Sequence, residues 1–373
     1  MLNTYYNPVH TYQGEGCLKL LPELIEQAAP EEGAVLLLLC REELSQDLEQ
    51  WMPKNRTRIE VFPHSNPDLE QLFQIYQKTK DWDVRLVVAA GGGSTLDVGK
   101  SLCCLYGKEI GSIQELRKLI EEKKYTTPAC RWIGVPTTAG TGSEVTCWAT
   151  IWYPQAGIKY SLDCAENYAY AAVADPQLLV TMPAGLAVSS ALDAVAHAVE
   201  SYWAKATNMV SKALALSAME GIMERIDELT GSGNRSQAFQ AMSLGSMLAG
   251  LAFSNTRTTG CHSISYPLTM RYQIPHGVAV SLLLGPVLKL NQEQIPDLEP
   301  LLRALGVSGA EELEERICSI LTRAGFPVRL KGWGAKQEDI PDLAAHSITK
   351  GRADNNPAQL TEERVTQILN HIL

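Results

Sequence analysis

Asp193 and His197 stand at i and i+4 in the run Leu192-Asp193-Ala194-Val195-Ala196-His197-Ala198-Val199-Glu200. On a helix that spacing puts both on one face, one turn apart. The face is otherwise lined by small residues, so a carboxylate and an imidazole there need a partner. His262 and His276 follow, each beside a backbone break: Gly260 before the first, Pro275 and Gly277 around the second. Three imidazoles and one carboxylate suit a divalent ion such as Fe2+, Zn2+, Co2+ or Ni2+, and ligand type does not choose among them. Taken singly, each histidine also reads as a satisfied core residue. His10, His64, His346 and His371 have no such setting.

A second chemistry lies upstream. Gly91-Gly92-Gly93-Ser94-Thr95-Leu96-Asp97 directly follows an apolar run and opens a helical pattern. That placement gathers bare backbone N–H groups and the positive end of a helix, where a phosphate binds well. Gly92 and Gly93 let the backbone approach closely, and Ser94 is placed to cap the helix. The segment is not G-x-G-x-x-G, because Leu96 takes the last glycine position, and no Gly-Lys-Ser/Thr makes it a P-loop. Pro136 to Glu144 also follows a strand pattern, and its Thr137, Thr138, Thr141 and Ser143 hydroxyls suit a pyrophosphate or ribose. Either loop alone reads also as a capped turn, with Ser143 capping a following helix. Two on neighbouring strand ends point to a cofactor crevice.

The elements that must position these residues fall into two halves. Val35–Leu39, Arg58–Phe62, Val84–Ala90 and Trp132–Val135 are strand patterns alternating with helical ones, which implies a parallel sheet covered on both faces. From about Pro183 the patterns are helical: Leu186–Lys205, Ser211–Leu229, Ser236–Phe253, Glu311–Ala324 and Thr361–Leu373, with no strand. The expected organisation is an α/β dinucleotide-binding domain over 1–180 and an all-α metal-binding domain over 181–373. The 373 residues carry a net charge of −10, which disfavours a nucleic-acid partner. No apolar run is long enough to span a bilayer. Nine scattered cysteines without a C-x-x-C motif read as reduced thiols, and a cytoplasmic protein is expected.

The run Gly91 to Asp97, the run Pro136 to Thr146, Asp193 to Glu200, His262 to Pro267 and Pro275-His276-Gly277 together resemble the iron-containing (group III) alcohol dehydrogenases. The resemblance spans nearly the whole chain, from Gly14-Glu15-Gly16 to Asn355-Asn356-Pro357. It implies a dehydroquinate synthase-like architecture and metal-assisted hydride transfer between NADH or NADPH and an aldehyde or alcohol carbon. It implies Asp193, His197, His262 and His276 as ligands of Fe2+, or of Zn2+, Co2+ or Ni2+. Gly93, Ser94 and Thr137 to Thr141 would hold the cofactor phosphates, Asn66, Lys159 and Leu178 would contact the rest of the cofactor, and Cys40, Arg41, Gly92, Asp97 and Ser143 complete the expected cofactor-binding set. A homodimer or higher homo-oligomer is expected. Two departures stand out. Where many members carry an acidic residue at the end of the first strand, this chain has Cys40 and then Arg41; where many carry a second histidine after the third ligand, it has Tyr266.

Asn255 to Thr269 is similar to the phosphonoacetaldehyde reductase branch of that family, which implies reduction of phosphonoacetaldehyde to 2-hydroxyethylphosphonate. Arg257 and Thr258, with Tyr266, are the candidate substrate contacts, and a guanidinium fork matches a phosphonate. A salt-bridge role for Arg257, a general dehydrogenase of neutral alcohols or diols, a dehydroquinate synthase-like lyase and an inert nucleotide-binding scaffold are the competing readings.

Overall fold

The computed structural model describes residues 4–30, 32–156 and 158–373. The elements, in order, are β1 (His10–Gln13), α1 (Leu21–Ala28), β2 (Ala34–Leu39), α2 (Leu44–Leu48), β3 (Thr57–Val61), α3 (Leu69–Thr79), β4 (Val84–Gly91), α4 (Gly93–Leu105), α5 (Ile113–Glu121), β5 (Arg131–Pro136), β6 (Trp148–Tyr153), β7 (Ile158–Asp163) and β8 (Ala171–Ala174). Helices follow: α6 (Ala184–Trp203), α7 (Met209–Arg225), α8 (Ser236–Thr256), α9 (Gly260–Tyr272), α10 (His276–Ser281), α11 (Leu284–Asn291), α12 (Leu298–Leu305), α13 (Ala310–Arg323), α14 (Ile340–Ala345) and α15 (Glu362–His371). None is long and apolar enough to cross a membrane.

The chain forms two units, α/β and helical. The division at Leu179/Val180 falls one residue from the sequence boundary, but the helical unit also takes residues 4–6 and Ala139–Gly142. This corrects the assignment of all of 1–180 to the first domain. Small residues explain the second excursion. A Cβ on Gly140 would lie 2.7 Å from the Ser190 carbonyl oxygen, and one on Gly142, at φ +55°, would lie 2.5 Å from the Gly250 Cα. Side chains there would lift the loop off α6 and α8.

In the α/β unit a parallel six-stranded sheet runs β1-β8-β5-β4-β2-β3. Strand β2 is buried on both faces: Leu36 and Leu38 join the core under α3, α4 and α5, while Val35, Leu37 and Leu39 join the core under α1 and α2. That double burial is why the strand reads as an unbroken apolar run. The chain reverses its direction of travel across the sheet between β2 and β4, and a crevice opens at such a point, outside the carboxyl ends of the strands.

Strands β1, β6, β7 and β8 escape the sequence patterns. Strand β1 is a four-residue, half-exposed edge with polar residues, and β8 is the small-residue run Ala-Ala-Val-Ala. Strands β6 and β7 form a separate antiparallel hairpin.

In the helical unit α6 is the central element, buried along most of its length and packed by α7, α8 and α10. A helix apolar all round is a core helix. The described residues of this unit contain no strand, as expected from sequence.

Candidate metal centre and nucleotide cradle

Helix α6 carries Asp193 and His197, the first turn of α9 carries His262, and α10 begins at His276 directly after Pro275. The two backbone breaks seen in sequence are therefore two helix starts. Asp193, His262 and His276 each offer one ligand atom, and these atoms lie within 4.8 Å of one another. Asp193 Oδ1 is 3.7 Å from His262 Nε2 and 3.9 Å from His276 Nε2. Those gaps are too long for hydrogen bonds and fit pairs of bonds of about 2.0–2.2 Å to one shared ion. Asp193 Oδ1 and His262 Nε2 are also buried with no hydrogen-bond partner. Two buried polar atoms left in that state cost free energy unless a third body satisfies both. The residues present fit a divalent metal.

His197 stands differently. Its Nδ1 is 3.2 Å from the Gly140 carbonyl oxygen and 3.9 Å from Asp193 Oδ2. Its ring is sandwiched between Phe253, at 4.2 Å and 9°, and His262, at 4.4 Å and 25°. With Nδ1–H donated to Gly140, Nε2 is the nitrogen left for a metal. The structure thus brings three of the four expected ligands together and stacks the fourth on one of them.

Burial pushes the His197 imidazole down to about 4. Burial opposes ionisation of Asp193, but His197, His262 and His276 outweigh it and hold the carboxyl well below the usual range. Burial also lowers His262, where the Glu200 and Asp193 carboxylates outweigh it and raise the imidazole to about 9. The pocket is built around retained negative charge.

Glu200 is a residue the sequence reading quoted without a role. It is fully buried and its Oε2 bonds His262 Nδ1. Its Oε1 accepts from the Thr259 hydroxyl at 2.8 Å and the Cys261 N–H at 2.6 Å. The available signal was its i+7 position from Asp193, on the face that also carries His197.

Tyr266, one turn beyond His262, lies parallel to the His276 ring at 6.1 Å and 3°, with the Arg352 guanidinium 5.2 Å from its own ring centre. Arg257 ends α8 at φ 63°, ψ 177°. Thr258 is buried and its carbonyl accepts from the Asn355 amide at 3.2 Å.

The α/β unit holds most of the expected cofactor residues at the carboxyl ends of β2, β4 and β5. Cys40 N–H bonds the Ala90 carbonyl, and Thr137 N–H bonds the Gly91 carbonyl. Cys40 Sγ lies 3.7 Å from Thr137 Oγ1 across Gly91. A Cβ on Gly91 would meet Thr95 at 2.4 Å and Cys40 at 2.9 Å, and one on Gly92 would meet Thr138 at 3.1 Å.

Helix α4 starts at Gly93 with Gly92 as its N-cap and no side-chain cap. This corrects the expected Ser94 cap: the Ser94 hydroxyl instead accepts the Asn66 N–H at 3.0 Å, with Asn66 in the left-handed region at φ 52°. An N-terminus without a side-chain cap offers its N–H groups to an anion.

Asp97 and Ser143, assigned to the cofactor from sequence, are bonded to each other at 2.7 Å. The Asp97 carboxylate also takes the Thr150 N–H at 2.8 Å and pairs with buried Lys100 at 3.4 Å, so it ties loops together. Ser143 opens only a short 3-10 turn, not the helix it was read as capping. Lys159, on β7, lies 5.4 Å from the centre of the Trp152 ring, and Leu178 is packed in the core under α1 and α2. Thr141 belongs to the segment that joins the helical unit, and Arg41 is exposed beyond β2.

Residues 8–176 match the iron-containing alcohol dehydrogenase family, and residues 187–373 match the C-terminal domain of the Fe-containing alcohol dehydrogenase family. The chain belongs to the iron-containing alcohol dehydrogenase family. It is 30% identical over 292 residues to the 1,3-propanediol dehydrogenase of Klebsiella pneumoniae, spanning 76% of this chain and 74% of that one. It is 28% identical over 315 residues to the sulfoacetaldehyde reductase of Bilophila wadsworthia, spanning 81% and 80%. The crystal structure of sulfoacetaldehyde reductase from Bifidobacterium kashiwanohense in complex with NAD+ superimposes with a TM-score of 0.88 at 25% identity, covering 100% of this chain and 99% of that one. Membership makes this dehydrogenase-family chain an oxidoreductase and sets the lyase and scaffold readings aside.

Proposed function

We propose that this protein reduces a small aldehyde bearing an anionic group, phosphonoacetaldehyde, to its primary alcohol, using NADPH or NADH and a divalent metal. The observation that carries the reaction class is the buried, unpartnered pair Asp193 Oδ1 and His262 Nε2 facing His276. When bound, the metal supplies Lewis-acid polarisation of the aldehyde oxygen and the nicotinamide supplies hydride. Asp193, His197, His262 and His276 are the ligands in this reading. The uncapped start of α4 and Thr137 and Thr138 receive the cofactor phosphates. The Tyr266 ring lies parallel to His276, and in this reading its hydroxyl holds the transferred proton.

Arg257 supports the anionic substrate. Its backbone sits at φ 63°, ψ 177°, a region populated almost only by glycine. Strain of that kind persists where the surroundings enforce it, and it concentrates at binding sites. In this reading the Arg257 guanidinium offsets the repulsion of an anion by a chain of charge −10. Two sulfoacetaldehyde reductases to which the chain is similar are named for an aldehyde that carries a sulfonate, a tetrahedral anion of the same shape as a phosphonate with less charge.

The deciding experiment is NADPH and NADH oxidation across phosphonoacetaldehyde, sulfoacetaldehyde and propanal, with Fe2+, Zn2+ and Co2+ in turn. Phosphonoacetaldehyde should have the highest kcat/KM. Arg257→Ala should lower it about 10 to 150-fold, the equivalent of a bidentate pair of roughly 1.5–3 kcal/mol, and spare propanal. A wild-type preference for propanal would return the protein to the neutral-alcohol reading, which the 1,3-propanediol dehydrogenase relative favours.

A further inference from the structure

Glu200 is fully buried at the C-terminal end of α6, and a carboxylate in that position is costly unless every lone pair has a use. Its two oxygens divide their work. Oε1 takes the Thr259 hydroxyl at 2.8 Å, the Cys261 N–H at 2.6 Å and the His262 N–H at 3.4 Å. These are the groups at the start of α9. Thr259 stands at its N-cap but makes no cap bond of its own. Its hydroxyl donates to Glu200 and accepts from the Trp203 indole at 2.7 Å. The cap of α9 is therefore a carboxylate borrowed from α6, and an anion there is favoured by the orphan N–H groups and the helix dipole.

Oε2 bonds His262 Nδ1. A carboxylate can only accept, so Nδ1 keeps its hydrogen, and Nε2 is the nitrogen that gives up its proton when an ion takes the lone pair. Nε2 is the atom that faces Asp193 Oδ1 at 3.7 Å without a hydrogen-bond partner. One side chain thus fixes the height of α9 against α6, the orientation of the His262 ring and the nitrogen it presents.

We propose that Glu200 is a positioning residue of the metal centre, holding His262 in the ring orientation and tautomer that bind the ion. The inference rests on the metal reading above. Outer partners of this kind change metal affinity by about 10 to 100-fold when removed.

The test is Zn2+ and Co2+ titration of metal-stripped protein, for wild type, Asp193→Ala, Glu200→Gln and Glu200→Asp. Thermal unfolding of the stripped proteins is measured in parallel. Asp193→Ala should abolish tight binding. Glu200→Gln should weaken the metal dissociation constant about 10 to 100-fold and shift the Co2+ absorption bands, since an amide cannot offer two acceptor oxygens. Glu200→Asp keeps the charge but shortens the reach, and should fall between. If Glu200→Gln does not fold, Glu200→Asp decides by the same two readouts. A variant that loses thermal stability yet binds both metals with wild-type affinity and an unchanged Co2+ spectrum would make Glu200 a helix anchor only and overturn the inference. If instead Asp193→Ala binds metal like wild type, the metal assignment itself fails, and the two failures are distinct.

Discussion

The side-chain amide of Asn355 donates to the Thr256 carbonyl at 2.8 Å and to the Thr258 carbonyl at 3.2 Å, and so clamps Arg257 between them in a glycine-like backbone conformation. The Arg257 N–H bonds the Phe253 carbonyl, and the Thr256 hydroxyl bonds the Arg257 carbonyl. The bend costs about 1–3 kcal/mol for a residue with a Cβ.

Arg257→Gly should therefore raise stability by about 1 kcal/mol, because glycine accepts that φ without strain. Arg257→Ala keeps the strain and should not. Both should lose the preference for the anionic aldehyde equally. Urea unfolding of the two variants, beside their kinetics with phosphonoacetaldehyde and propanal, checks this. A Gly variant less stable than the Ala variant would mean the backbone is not strained.

His262→Ala and His276→Ala should each lower metal affinity at least roughly tenfold, since each removes a coordination bond. Metal analysis of the purified variants measures it. Stoichiometric metal in both would reject the ligand set.

Gly277 follows His276, and a Cβ there would lie 1.9 Å from the Ser189 carbonyl oxygen on α6. Backbone cannot yield as a flexible side chain does. Gly277→Ala should push α10 off α6, destabilise the protein by roughly 2–3 kcal/mol and displace His276. Loss of bound metal alongside a lowered Tm is expected; unchanged values for both would show that the helices part without consequence.

Cys40 ends the strand where a carboxylate would repel a 2′-phosphate, and Arg41 follows it. NADPH should be used at least as well as NADH. Arg41 must act against Glu42 and Glu43, which line an acidic cavity with Glu49 and Glu60. Cys40→Asp should shift the ratio of kcat/KM values toward NADH. Strict NADH dependence of the unmodified enzyme would defeat the assignment.

Burial raises the Glu144 carboxyl to about 6, against partial relief from a backbone hydrogen bond and Lys100. Its folded value lies above its unfolded one, so the native state binds the proton more tightly. Stability from this group is present below about 4.5 and lost as pH rises through about 6, an effect of roughly 2 kcal/mol. Glu144→Gln should remove that decline. Urea unfolding of wild type and variant at pH 4.5, 6 and 8 reads the difference, and a constant offset between them at all three would reject it.

The candidate chemistry-bearing residues were legible in the amino-acid order alone. The i,i+4 pair on an Ala-rich helix, the histidines beside breaks and the triple glycine after an apolar run are local patterns, legible because helix and strand periodicity are local. The doubly buried β2 and β4 were legible for the same reason. Tertiary structure decided what depends on partners far along the chain. Glu200 meets His262 only because α9 places Thr259, Cys261 and His262 against it. Ser94 lost its expected cap to Asn66, and Asp97 its expected cofactor contact to Ser143, through bonds that close loops of 28 and 46 residues. The strain at Arg257 was invisible because backbone angles there are imposed by Asn355, about a hundred residues away. Residues 139–142 joined the helical unit because Gly140 and Gly142 admit α6 and α8 at contact distances no Cβ allows. Residue type and spacing name the groups; long-range packing chooses which lone pair each one offers.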